Sequence, residues 1–134
     1  MQASSTPEPP PTRRGGGDAD DQIAVTVTSP APGVALVDVR GEVDMLTSPQ
    51  LRDQLVGLVR SEDTELVVVA LGGVTFLGTS GLATLIEVRE AAHTAGVELR
   101  LACAGRRVLR PLTIAGLLAM FDIHDTVEAA LAAT

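Results

Sequence analysis

The sequence predicts a single α/β domain, a mixed β-sheet with crossover helices in the order β-β-α-β-α-β-α-β-α. Three observations lead there. The chain has 134 residues, of which 46% are hydrophobic and 20% charged, a length and balance that suit one folded unit around one core. Segments of strand periodicity take turns along it with segments of helical periodicity, the mark of an α/β layer. The run Glu65-Leu66-Val67-Val68-Val69-Ala70-Leu71 is short, continuous and Val-rich, as a central strand covered on both faces should be.

Residues 1–21 read MQASSTPEPPPTRRGGGDADD and offer almost nothing apolar to bury, so they are predicted to be a disordered tail ahead of a domain at 22–134. Ile23, Val25 and Val27 alternate, the pattern breaks at Ser29-Pro30-Ala31-Pro32-Gly33, and it resumes through Val34, Leu36, Val37 and Val39, which predicts an antiparallel strand pair. Gly41-Glu42-Val43-Asp44 closes the second strand. Thr47-Ser48-Pro49 opens a helix, with hydroxyls for capping and proline favoured at the start. Leu51, Leu55, Leu58 and Val59 give that helix one apolar face to about Arg60. After the central strand, Gly78-Thr79-Ser80-Gly81 opens a second helix that Gly96 ends, and Val97, Leu99 and Leu101 alternate through a fourth strand. A third helix is led by Arg106-Arg107-Val108 and stops near Gly116. Pro111 fits it only if the helix starts late enough to place proline near the first turn. A short strand over 120–123 and a last helix opened by Asp125, with Glu128 in capping-box spacing, complete the chain.

Composition narrows the function. Aromatics make up 1%, Phe76 and Phe121, with no Trp or Tyr, so base-stacking platforms are missing. A net charge of -7 disfavours DNA and acidic membranes as partners. All 10 basic residues are Arg, and without Lys there is neither Schiff-base chemistry nor a phosphate-loop lysine. One cysteine, Cys103, cannot form an internal disulfide, and His93 and His124 have no zinc-ligand spacing. A reducing, cytoplasmic setting is expected, since neither a membrane-length apolar run nor a leader pattern is present. No catalytic residue, cofactor or metal is expected.

Three short motifs carry a resemblance: Gly41-Glu42-Val43-Asp44 after the second strand, Leu77-Gly78-Thr79-Ser80-Gly81-Leu82 at the second helix, and Val108 through Gly116-Leu117. Their order and spacing over residues 22–134 resemble bacterial anti-sigma-factor antagonists of the STAS-domain type. The resemblance implies a binding switch rather than an enzyme. The partner would be an anti-sigma factor with serine/threonine kinase activity, a phosphatase would reverse the modification, and the phosphoacceptor would be Thr79, with Ser80 as the alternative. Gly41, Glu42, Asp44, Gly78, Thr79, Ser80, Gly81 and Leu82 would meet the partner. Where the family has Asp before its acceptor this chain has Gly78, and Thr79 replaces the family's usual Ser. The strand before it has Ala70 where the family often has Asp.

Plainer readings stand beside these. Thr79 or Ser80 can be an ordinary helix N-cap. Gly41 to Asp44 is a strand end and turn whatever else it does. Gly72-Gly73 and Gly78 to Gly81 lack the pattern of a phosphate cradle. Cys103 reads as a buried inert thiol, and Arg106, Arg107 and Arg110 as a solvated helix face. A constitutive, non-phosphorylated STAS scaffold or sensor subunit is the second functional expectation. A small-molecule or nucleotide binder is the third, resting only on the glycine-rich loop.

Overall fold

The computed structural model describes residues 23–133; the tail predicted over 1–21 lies outside them. The elements follow the expected order: β1 (Ile23–Ala31), β2 (Val34–Val43), α1 (Ser48–Val59), β3 (Leu66–Leu77), α2 (Thr79–Ala95), β4 (Glu98–Ala102), α3 (Arg106–Ile114), β5 (Asp122–His124) and α4 (Val127–Ala132). A 3₁₀ turn, Leu118–Met120, leads into β5.

The five strands lie in the sheet in sequence order, β1-β2-β3-β4-β5. β1 runs antiparallel to β2, and every later pair is parallel. Because the parallel strands advance in one direction, right-handed crossovers place their helices on one face. The large core forms there. It joins Val37, Val39, Val67, Val69, Leu71 and Leu101 of the sheet to Leu51, Leu55 and Val59 of α1, Leu85, Val88 and Ala92 of α2, and Val108 and Leu112 of α3. A second, smaller cluster, Val68, Ala102 and Ala130, marks where α4 packs on the other face.

Several boundaries differ from expectation, each for a local reason. β1 runs through Pro30 to Ala31 across a register shift, because an edge strand tolerates a missing N–H. β3 continues past Leu71 to Leu77 through Gly72-Gly73. Its pairing slips from Asp38↔Ala70 to Arg40↔Gly73, so the glycines form a bulge. A Cβ on Gly73 would stand 2.6 Å from Arg40 Cγ. α3 starts at Arg106, which leaves Pro111 inside the helix and not in the first turn. The carbonyl deprived of its donor belongs to Arg107, an exposed residue, so water can take the donor's place. The helix ends in a Schellman pair, with Leu117 N–H donating to Leu112 O at 2.9 Å and Gly116 N–H to Thr113 O at 3.1 Å, and Gly116 at φ 73. The last helix is capped by Thr126, whose Oγ1 accepts from Ala129 N–H at 3.0 Å. Asp125 therefore stands outside it, and Glu128 is too early for a capping box.

Candidate functional site

Parallel pairing brings the ends of β2 and β3 to the same edge. Val43 pairs with Leu77, and Gly78 N–H donates to Val43 O at 2.9 Å. The turn Gly41 to Asp44 and the loop Leu77 to Leu82, 30-odd positions apart in the chain, thereby become neighbours. Gly41 holds φ 107 at a register shift against β3, a conformation side chains rarely adopt.

The loop from β2 to α1 is braced from within. Asp44 Oδ1 accepts from the N–H groups of Leu46 at 2.9 Å and Thr47 at 3.1 Å. Thr47 Oγ1 accepts from Asp44 N–H at 2.9 Å and donates to Glu42 O at 2.8 Å. Thr47 was expected to cap α1, but its side chain makes no cap hydrogen bond because that oxygen is committed to the loop. Glu42 is exposed and Asp44 half-buried. Between them and α1, Met45 and Leu46 are 77% and 60% exposed, an apolar tip that sequence periodicity misses because it belongs to no element.

At α2 the cap position is Gly78, with no side chain to offer. The reading of Thr79 or Ser80 as the N-cap is thereby corrected: they are the first two helical residues, exposed and half-buried respectively. Neither hydroxyl makes a hydrogen bond among the described residues. The first turn carries no acid, so the helix end favours added negative charge uncompensated. Gly78 itself sits at φ -89 and ψ -178, backbone that any residue adopts, but a Cβ there would lie 3.0 Å from the Phe76 ring. Gly81 corrects another expectation. It is buried, and a Cβ on it would stand 2.6 Å from Leu77 Cδ1 and 2.7 Å from Val43 Cγ1. It seats the helix on the strands and is not a surface for a partner.

Beside Thr79 opens a groove of about 620 Å³ between the end of β3, the start of α2, and α3. Phe76, Leu82, Pro111 and Ile114 give it an apolar lining, and Arg106, Arg107 and Arg110 line it from α3. Phe76 and Ile114 are 51% and 75% exposed. The three arginines are exposed, as a solvated helix face should be, and they also share a concavity with the candidate phosphoacceptor. Nothing in the sequence spacing of residues 79 and 106–110 signals that meeting.

Other candidates are placed elsewhere. Cys103 is 3% exposed, and burial, aided by Asp125, raises its thiol from 9.0 to about 11, as suits an inert thiol. The sheet order never reverses, so the crevice at which doubly wound folds bind nucleotides does not arise. Among the described residues no cluster of three metal-ligating side chains exists, and no helix is long and apolar enough to cross a membrane.

Known proteins share this fold. The family model of the STAS domain matches residues 26–130. The anti-sigma-F factor antagonist RsfB of Mycobacterium tuberculosis is 32% identical over 113 residues, covering 84% of this chain and 90% of that protein. The crystal structure of an anti-sigma factor antagonist from Mycobacterium paratuberculosis superposes with a TM-score of 0.73 at 32% identity, over 84% of this chain and 93% of that one. The Bacillus cell fate determinant SpoIIAA, in its phosphorylated form, shares the fold with a TM-score of 0.64 at 14% identity, over 81% of this chain and 96% of that one.

Proposed function

Because the chain belongs to the STAS-domain family, we propose that it is an anti-sigma-factor antagonist whose grip on its partner is set by phosphorylation of Thr79. The unmodified protein docks on an anti-sigma factor and frees a sigma factor. Glu42, Asp44, the Met45-Leu46 tip and Gly78, Thr79, Ser80 and Leu82 supply the docking surface in the cytoplasm. The partner is a serine/threonine kinase that transfers the γ-phosphoryl group of ATP to Thr79 Oγ1, with ADP leaving and the hydroxyl proton released; a phosphatase resets the switch. One observation carries the reading. Thr79 presents an exposed, unbonded hydroxyl on the uncapped first turn of α2, beside the turn that parallel pairing brings against it.

The energetics need only be modest. A phosphate adds about -1.5 to -2 charges, and a new charge against an acidic or apolar partner costs a few kcal/mol, on the order of a hundredfold in affinity. The test begins with the anti-sigma factor captured on the immobilised chain. With ATP, it should place one phosphate on Thr79, and Thr79→Ala should abolish that unless Ser80 substitutes. Thr79→Glu should keep the fold and weaken binding about a hundredfold. No phosphate on either residue, with Thr79→Glu binding as tightly as wild type, would refute the switch.

A second reading has one specific observation behind it. Gly78 carries no carboxylate beside the acceptor, and the Phe76 ring comes within 3.0 Å of where its Cβ would sit. A constitutive STAS scaffold or sensor subunit fits that, and it predicts partner binding indifferent to ATP. Gly78→Asp separates the two: it should raise the phosphorylation rate in a switch and change nothing in a scaffold.

A further inference from the structure

We propose that Arg106, Arg107 and Arg110 of α3 form a receptor for the phosphate on Thr79, so that phosphorylation draws the modified side chain into the groove and occupies its Thr79 end. This rests on reading Thr79 as the phosphoacceptor. Thr79 and all three guanidinium-bearing side chains line the same cavity of about 620 Å³. No Asp or Glu lines it, and neither α2 nor α3 has an acid in its first turn.

The arginines also lack partners. Arg40, Arg52 and Arg100 each pair with a carboxylate and Arg89 donates to Met120 O, whereas among the described residues Arg106, Arg107 and Arg110, like the isolated Arg60, form no ion pair and no side-chain hydrogen bond. In a chain of net charge -7, acids are plentiful, yet none meets this cluster. A planar guanidinium matches phosphate oxygens two at a time, and a neutral threonine hydroxyl offers it nothing comparable. The receptor is therefore idle until the modification arrives. Once clamped, the phosphate stands over the apolar wall of Leu82, Pro111 and Ile114 and denies it to a docking partner. Phosphorylation then acts by closing a groove as well as by adding charge.

The experiment needs no kinase. Phosphothreonine is installed at position 79 during translation, and its second ionisation is followed by phosphorus NMR. Nearby cations favour the dianion, so this pKa should fall below its usual value of about 6. In the variant carrying Arg106→Gln, Arg107→Gln and Arg110→Gln it should rise again by about one unit. Arg60→Gln, at an exposed residue lining a different groove, should leave it unchanged. Each single arginine substitution gives a smaller shift of the same sign and serves if the triple variant loses its fold. A pKa identical with and without the arginines overturns the receptor. So does a low value that ignores them, since the helix end alone would then hold the phosphate. Failure of the phosphoacceptor reading looks different: the kinase would leave Thr79 bare, while the installed phosphate would still respond to the arginines.

Discussion

At the scale of single residues, Cys103 shows how burial sets chemistry. Its thiol lies at the end of β4 with 3% exposure, and desolvation disfavours the thiolate that alkylating agents need. Iodoacetamide at neutral pH should label the native protein far more slowly than the urea-unfolded chain; equal rates would show the thiol is accessible. The same shift has a sign in stability. The folded pKa of about 11 lies above the value of 9.0 expected without burial, so the native state keeps a proton that the unfolded chain gives up. That contribution is complete below about pH 9 and is lost as pH rises towards 11. Cys103→Ala should flatten the fall in urea midpoint across that window, and an unchanged slope would place its cause elsewhere.

Two helical glycines separate packing from propensity at the scale of the element. Gly81, in the first turn of α2, has Leu77 and Val43 side chains closer than 3.0 Å to where a Cβ would sit. Gly81→Ala must push the helix off the strands and should cost about 1–3 kcal/mol. Gly57, exposed within α1, has nothing within 4 Å of the same position. Gly57→Ala should stabilise by about 0.5–1 kcal/mol, because alanine has less backbone freedom to lose. Urea unfolding of both variants checks the pair, and the opposite ordering would mean that α2 is seated otherwise than described. Because Gly81 fixes the start of α2, its variant should also disturb Thr79 presentation and weaken partner binding.

For the whole molecule, the consequence of a steadily advancing sheet is asymmetry. α1, α2 and α3 share one large core, while the opposite face relies on α4 over Val68 and Ala102. Arg100 ties that helix down. It is 5% exposed, and its Nη1 donates to Ala130 O at 2.6 Å, while Nη2 meets Glu98 Oε2 at 3.0 Å. Arg100→Ala removes a charge-assisted bond to a buried carbonyl and should cost about 2–3 kcal/mol. Hydrogen exchange should speed most in α4, and a loss spread evenly over α1 and α2 would show that α4 is not a separately anchored cover. The site lies at the strand ends, so α4 loosening should affect partner affinity less than the Gly81 change does.

Periodicity alone determined the element order and the sharing of apolar residues between strands and helices, because a strand repeats every two residues and a helix every 3.6. The stretches Gly41 to Asp44 and Gly78 to Gly81 were legible as element boundaries marked by glycine, while their meaning as motifs came from resemblance to the STAS-domain family. Their adjacency was not legible, since it follows from β2 and β3 pairing in parallel and ending at one edge. Nor was the role of Gly81, which depends on two side chains from different strands, or the cap of α2, which fell on Gly78 because Val43 takes its N–H. β3 outran its expected end because a bulge absorbed the glycines that read as a break. The groove that joins Thr79 to Arg106, Arg107 and Arg110 was decided by tertiary structure alone. Sequence spacing carries contact information only within an element, and this contact is made across a strand and two helices.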